Sequence, residues 1–333
     1  MNPSLRQRPD IGAVVIGRNE GDRLIRCLTS LSSRTDQLVY VDSSSTDGSP
    51  ERARALHADV ITLSLEKPFT AGRARNAGFR RLMALNPTLR YVQFVDGDCE
   101  IAPGWLELAV DFLDKNPDVA IVCGRRKERH PGASVYNQIC DIEWDTPVGE
   151  ADASGGDFLA RANVFDEVGG FTDSLIAGEE PEMCYRMRKL GWRIYRAEAL
   201  MTLHDAAMTR FGQWVKRSSR AGYAYAARAA LHWRDGKRYC WRENLRIATW
   251  GFAVPVTIIA LAAFTTPWFA LLFLLYPLQW ARMTRHFRAQ RPGAPALAYS
   301  FFVVLGKWPE FYGQMLFLMR WLRGQEQRII EYK

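Results

Sequence analysis

Two acidic clusters are where this sequence could do chemistry. Phe94-Val95-Asp96-Gly97-Asp98 is an apolar run that ends in two carboxylates one residue apart, and Gly178-Glu179-Glu180-Pro181-Glu182-Met183 gathers acids at a helix start. A strand that delivers Asp96 and Asp98 at its carboxyl end puts both at the crevice where α/β sheets bind ligands. Such a pair suits a hard divalent ion that keeps several waters and grips a substrate diphosphate. Asp-Gly is also ordinary turn chemistry, and an acidic first turn is favoured by the helix dipole alone. His204, in Leu203-His204-Asp205, follows a short apolar run, where a lone histidine is as often structural as a ligand.

The elements that must carry these groups alternate. The pattern predicts strands over Ile11–Ile16, Leu38–Val41, Val60–Leu63, Tyr91–Val95 and Val119–Cys123, with helices over Gly21–Ser32, Pro50–His57, Arg73–Leu85 and Pro103–Lys115 between them. Helices over Phe158–Val168 and Glu180–Leu190 and a last strand over Trp192–Tyr195 follow an irregular, aromatic stretch from Gly124 to Gly156. Strict alternation predicts an α/β fold with a mostly parallel sheet covered on both faces.

A chain of 333 residues with 48% hydrophobic residues can hold one large catalytic domain and a smaller appendage. The net charge of +8 lacks any nucleic-acid-binding signature to use it, and the basic residues crowd near apolar segments in the second half, which points to anionic lipid instead. Six scattered cysteines without a C-x-x-C pair indicate neither structural zinc nor a disulfide framework. Met1 to Asp10 lacks the apolar core of a secretory signal, so the catalytic portion is expected to face the cytoplasm.

Between Arg246 and Arg282 about 35 positions carry no charge, well beyond the roughly 20 that span a bilayer once. Pro255, Thr265-Thr266-Pro267 and Pro277 divide this stretch, so two short spans or a re-entrant hairpin are expected; the bland alternative is a core hairpin of a soluble domain. Arginines at both ends put both in the cytoplasm by the positive-inside rule. Leu297–Leu322 resembles an interfacial helix, as does Arg210–Trp233, with Phe211, Trp214, Val215, Ala221 and Tyr225 opposed to Lys216, Arg217, Arg220 and Arg228. These segments are expected to hold the catalytic domain at the membrane. The domain expectation is thus 1–209 catalytic, 210–245 interfacial helix and linker, and 246–333 membrane-associated.

From Ile11 to His204 the chain resembles the family 2 glycosyltransferases, which have the GT-A nucleotide-diphospho-sugar transferase fold. Four ordered motifs carry the likeness: Val14-Val15-Ile16-Gly17-Arg18-Asn19-Glu20, Asp42-Ser43-Ser44-Ser45-Thr46-Asp47-Gly48-Ser49, Gly72-Arg73-Ala74-Arg75-Asn76-Ala77-Gly78 and Asp96-Gly97-Asp98. The resemblance implies a donor-nucleotide site of Ile16, Gly17, Arg18, Glu20, Asp42, Lys67, Gly72, Arg75, Asn76, Asp96 and Gly97. Asp42 could accept hydrogen bonds from a base edge or open an Asx-turn; Arg75 could grip a diphosphate or be a solvated helix charge; Glu20 could merely favour its helix start. The resemblance further implies Mn2+ or Mg2+ at Asp98, with Asp96 sharing the ion or nearer the ribose and His204 joining the metal or the diphosphate.

The second acidic cluster resembles the family's Gly-Glu-Asp-x-Asp/Glu-Leu segment, whose second acid is the general base. That position is Glu180, one methylene longer than the usual aspartate, with Glu179 as fallback. Ser154-Gly155-Gly156-Asp157 resembles the acceptor-side loop, so Gly155, Gly156 and Asp157 are expected at the acceptor, although Asp157 could equally cap the next helix. Gln213-Trp214-Val215-Lys216-Arg217 matches only part of the Gln-x-x-Arg-Trp of processive synthases, which implies one sugar per event.

The expectation is therefore an inverting, metal-dependent glycosyltransferase at the cytoplasmic face of the membrane, moving sugar from a UDP-sugar to a lipid-linked or glycan acceptor. Its partners are the nucleotide-sugar, the acceptor and membrane lipids, and not nucleic acid. A nucleotidyltransferase would need a glycine-rich phosphate loop that Ile16-Gly17-Arg18-Asn19-Glu20 does not supply, and a dead, membrane-bound scaffold would not need to keep the acids.

Overall fold

The computed structural model describes residues 10–35, 37–64, 66–235 and 238–325. Residues 1–9, on which the absence of a signal rests, and the end of the expected membrane region, residues 326–333, lie outside them. The chain divides into two compact units: residues 1–131 with 143–207, and residues 132–142 with 208–333.

The first unit is a sheet with helices. Its early half follows the expected alternation: β1 (Ile11–Gly17), α1 (Asp22–Ser32), β2 (Leu38–Asp42), α2 (Ser49–Ala55), β3 (Asp59–Thr62), α3 (Ala71–Leu85) and β4 (Tyr91–Asp96). β1, β2 and β4 are almost wholly buried, as strands covered on both faces must be. α1 shows why such segments are helical and amphipathic: Leu24, Cys27, Leu28 and Leu31, spaced three and four apart, are the residues it buries. Gly78 lets α3 lie directly on the sheet, since a Cβ there would stand 2.4 Å from Val14.

The later half departs from expectation. After β5 (Cys99–Ile101), α4 (Trp105–Lys115), β6 (Val119–Glu128) and α5 (Val135–Trp144), most of which belongs to the second unit, come β7 (Gly149–Glu150), β8 (Phe158–Arg161), α6 (Ala162–Glu167), α7 (Glu179–Lys189) and β9 (Arg193–His204). The strand order is β3-β2-β1-β4-β8-β6-β9-β5, with β7 on β9. The β1–β2, β2–β3, β1–β4 and β6–β9 pairs are parallel, whereas β8 runs antiparallel to β4 and β6, and β9 antiparallel to β5 and β7. The sheet is mixed rather than mostly parallel. The expected Phe158–Val168 helix is in fact strand then helix, because Phe158, Leu159 and Ala160 all fill the sheet between β4 and β6.

The second unit is helical. α8 (Phe211–Leu231) packs on α13 (Lys307–Leu322) through glycines: a Cβ on Gly222 would stand 1.9 Å from the Glu310 carbonyl oxygen, and one on Gly313 1.9 Å from that of Ser219. α8 is therefore a helix packed through a buried small-residue stripe of Ser218, Ser219, Gly222 and Ala227. Arg228, assigned above to the polar face, is buried, with its guanidinium over the Tyr225 and Tyr239 rings.

α9 (Trp241–Ala248) runs through a π-helical turn at Thr249–Ala253 into α10 (Val254–Phe264). The wide turn accommodates Pro255, which has no N–H for the ladder. The result is one continuous helix, Trp241–Phe264, long and apolar enough to cross a membrane, with Pro255 inside it instead of dividing the stretch. The break at Thr265–Pro267 leads to a 3-10 stretch, Pro267–Leu274, then α11 (Leu275–Gln290) and α12 (Ala296–Leu305). The expected single helix from Leu297 to Leu322 is interrupted at Gly306, between α12 and α13.

Candidate active site

β4 ends at Asp96 because the next peptide turns away over β1: the Gly97 N–H donates to the Ile16 carbonyl at 2.7 Å, and a Cβ on Gly97 would crowd that oxygen at 3.0 Å. The Asp96 N–H donates to Asp157 Oδ1 at 3.0 Å, which fixes the strand end from the other side. α7 begins at Gly178, whose φ of 76° is the left-handed region that glycine enters freely, and this turn brings Glu179 and Glu180 into the first helical turn.

One guanidinium joins these elements. Arg75 on α3, 2% exposed, donates to Asp96 Oδ1 at 2.7 Å, to Glu179 Oε1 at 3.0 Å and to Glu180 Oε1 at 3.2 Å. Arg126 on β6 adds a second cation, 2.9 Å from Asp157 Oδ2 and 3.4 Å from Asp96 Oδ2. Gly156 makes room for this cluster: a Cβ there would lie 2.8 Å from both Arg126 and Asp96.

Burial alone would raise the Asp96 pKa, but Arg75, Arg126 and His204 outweigh it and hold the group well below the usual carboxylate range. Glu180 moves the other way. Burial, then the neighbouring Glu179 charge, push its pKa up to about 7, against the opposing pull of Arg75 and of the helix-start backbone N–H. A carboxylate poised near neutrality can take and return a proton at physiological pH.

Asp98 and His204 form the adjoining pair. The His204 Nε2 lies 3.4 Å from Asp98 Oδ1, because His204 closes β9 opposite Cys99 of β5 and Glu128 of β6. Glu128 is buried, accepts the N–H groups of His130 and Ala206, and faces His204 Nδ1 at 3.8 Å. Burial would raise the Glu128 pKa, yet His204 and those two N–H groups lower it overall, so Glu128 is an anion that orients the imidazole. The Trp144 ring stands edge-on to His204, with centroids 4.4 Å apart, and under the Arg126 guanidinium.

Donor atoms of Asp98, Cys99 and His204 lie within 4.8 Å of one another, as do those of Asp96, Cys99 and Asp157. Burial pushes the Cys99 thiol well above its ordinary value, and a soft sulfur is a poor match for a hard, oxygen-seeking ion. What remains is carboxylate and imidazole, a donor set that fits Mn2+ or Mg2+ at Asp98 and His204, with Asp96 drawn toward the arginines.

Arg75, expected at a diphosphate or as a solvated helix charge, is not solvated: it is buried and links the two acidic clusters. Asp157, expected at an acceptor or a helix cap, is fully buried, holds Thr202 and Arg126, and precedes a strand. Asp42 closes a turn: it is 1% exposed and accepts from the Ser45 N–H at 2.9 Å and the Tyr40 hydroxyl at 3.0 Å.

Asn76 fixes the loop after α6, through Phe171 and Asp173, and Gly72 allows the Phe171 side chain close by. Ile16, Gly17 and Glu20 border Gly97, with Glu20 paired to Arg23. Arg18 sits over the Phe69 ring, Lys67 is exposed, and Gly155 has open space where a side chain would be. Arg126, Glu128 and Trp144 escaped the sequence reading. The one signal was a charged end, Arg125-Arg126-Lys127-Glu128, on an apolar strand, the same pattern that exposes Asp96 and Asp98.

Known proteins resemble this chain in sequence and in fold. The family description "Glycosyl transferase family 2" matches residues 13–167. The chain is 25% identical over 242 residues to a pre-mycofactocin glycosyltransferase of Mycobacterium tuberculosis, covering 69% of this chain and 50% of that protein, so it spans about half the length of that relative. It is 25% identical over 233 residues to the N-acetylglucosaminyl-diphospho-decaprenol L-rhamnosyltransferase of the same species, covering 58% and 75%. Among solved structures, a mannosyltransferase from Pyrobaculum calidifontis in complex with GDP-Man and Mn2+ superposes with a TM-score of 0.64 at 17% identity, covering 95% of this chain and 89% of the other, which is a likeness of fold.

Proposed function

The chain is a family 2 glycosyltransferase with a GT-A fold, and from that premise we propose that it transfers one sugar, with inversion, from a nucleotide-sugar to a lipid-linked acceptor in glycoconjugate or polysaccharide synthesis. The observation that carries this is the Arg75 bridge, which holds the Glu180 and Asp96 carboxylates on one guanidinium, two residues from Asp98.

Glu180 is the base. Its carboxylate takes the proton of the acceptor hydroxyl as that oxygen bonds to the anomeric carbon, while the bond from that carbon to the diphosphate oxygen breaks and its electron pair leaves with the nucleotide. Displacement from the face opposite the leaving group inverts the anomeric centre. Arg75 keeps Glu180 and Glu179 oriented side by side, and burial, then the neighbouring Glu179, keep Glu180 basic enough to accept the proton near pH 7.

A divalent ion at Asp98 and His204, when bound, would neutralise the departing diphosphate. Glu128 orients His204 for that contact, and Asp157 holds the Asp96 backbone in place. The loops at Ile16–Glu20 and Asp42–Ser49 border the donor side, and the open Gly155 marks the acceptor side. A UDP-sugar is the first donor to try, with GDP-mannose, carried by the mannosyltransferase neighbour, as the second.

A lipid-linked acceptor accords with the apolar Trp241–Phe264 helix and with a relative named for a diphospho-decaprenol substrate. On this reading the membrane-associated region is the unit from residue 208 onward, and the catalytic unit lies on the cytoplasmic side. The test is a panel of UDP-, GDP- and dTDP-sugars incubated with the purified chain, Mn2+ and a polyprenyl-phosphate extract. One donor should be consumed with sugar appearing in the lipid fraction; consumption of none, or release of a nucleotide monophosphate, would reject the assignment.

A further inference from the structure

The helical unit contains a cavity of about 940 Å3 that the transfer reaction does not use. Arg246 and Trp250, one turn apart on the apolar Trp241–Phe264 helix, form one wall, and Arg282 and Arg285 on α11 form another. Lys307 and Ser300 complete it. No carboxylate lines it, and among the described residues Arg246, Arg282 and Arg285 have neither an ion pair nor a hydrogen bond from their guanidinium groups.

Ser300 is the second, independent observation. It is 0% exposed, lines this cavity, and its Oγ has no hydrogen-bond partner, not even a carbonyl of its own helix. A buried hydroxyl left this way costs free energy that an incoming oxygen acceptor would recover. Arginines suit phosphate oxygens through paired N–H donors, and Phe287, Val303 and Val304 give the wall an apolar stretch beside the polar Gln279, His286 and Tyr299. Cations and an indole at one end of a membrane-length apolar helix are what the headgroup level of a bilayer selects.

We propose that this cavity is a binding site for an anionic phospholipid, whose phosphate meets Arg282, Arg285 and the Ser300 hydroxyl while its glycerol and upper acyl carbons lie on the apolar wall. The site rests on the membrane reading given above but not on the transfer chemistry.

The test titrates the full chain in neutral detergent with phosphatidylglycerol, phosphatidylcholine of the same chains, or free glycerol phosphate, and counts bound molecules by native mass spectrometry. The wild type should hold one phosphatidylglycerol about tenfold or more tighter than phosphatidylcholine, and Arg282→Gln with Arg285→Gln should erase that preference. Ser300→Val should weaken it without a change in charge, and Arg288→Gln, exposed on the same helix but outside the cavity, should leave it intact. A preference that survives the double variant, or falls equally with Arg288→Gln, overturns the site. Competition by glycerol phosphate as strong as by the lipid overturns the lipid assignment. Flotation with vesicles is scored separately: a chain that floats with none overturns the membrane reading and this site with it.

Discussion

In the sheet unit Arg75 and Arg126 are enclosed and every guanidinium contact that matters ends on a carboxylate, whereas in the helical unit Arg246, Arg282 and Arg285 stand round a cavity with no acid in its wall. The same residue type thus serves two physical ends. Buried charges must be matched inside the fold, since desolvation is repaid only by close partners. Exposed ones can wait for an anion from outside. The contrast separates groups that set the protonation state of a buried carboxylate from groups whose charge is left for a ligand.

The sharpest way to test the matched side is Glu180→Gln. It should lower kcat about 10³-fold while donor affinity, read by calorimetry, stays within about threefold, as expected for loss of a general base. Equal loss of both would remove Glu180 from the chemistry. In the wild type kcat/KM should rise about tenfold per pH unit up to roughly pH 7 and then level, because only the ionised group accepts a proton. The stability sign is opposite. The folded pKa of about 7 lies above the ordinary 4.5, so Glu180 penalises folding fully above about pH 7, and the penalty fades as pH falls toward 4.5. A flat rate profile through pH 5–7 would contradict the poise argued for this group.

Arg75→Gln and Arg282→Gln put the comparison itself at stake. Removing Arg75 strands three carboxylates and should cost about 3–5 kcal/mol of stability by thermal or chemical unfolding. Removing Arg282 breaks no internal pair and should change it by less than about 0.5 kcal/mol. Similar losses at both would mean that the unpaired arginines are structural after all. Gly222→Ala is expected to be intermediate, about 1–3 kcal/mol, since its methyl would overlap the Glu310 carbonyl; a neutral result would show that α8 and α13 are free to separate.

How far the sequence foretold this structure depended on where the deciding partner lay. β1, β2, β4 and α1 were legible because each buries a nearly continuous or helically spaced apolar set, such as Leu38–Val41 or Leu24-Cys27-Leu28-Leu31. Phe158-Leu159-Ala160 was not, since a run that short fits helix and strand alike until β4 and β6 flank it. The acids themselves stood out, but their roles did not. Asp157 differs from Asp96 only in what folds over it, and Arg126 and Glu128 gain meaning from residues about 30 to 76 positions away. The packing face of α8 escaped the sequence for a related reason: its small-residue stripe is serine, glycine and alanine, which only the close backbone of α13 makes into an interface.

β9 crosses the sheet with irregular spacing against β6 and delivers His204 at its final position, opposite Cys99 and Glu128. Adding or deleting a single amino acid between Tyr195 and Leu203 would turn the imidazole to the opposite face and away from Asp98, even if every strand still paired. Length variation within this segment should therefore be lethal to activity long before it is lethal to folding. Libraries that shuffle or recombine this chain should keep β9 and its partner β7 intact and place their crossovers elsewhere, for example beside the open Gly104 turn.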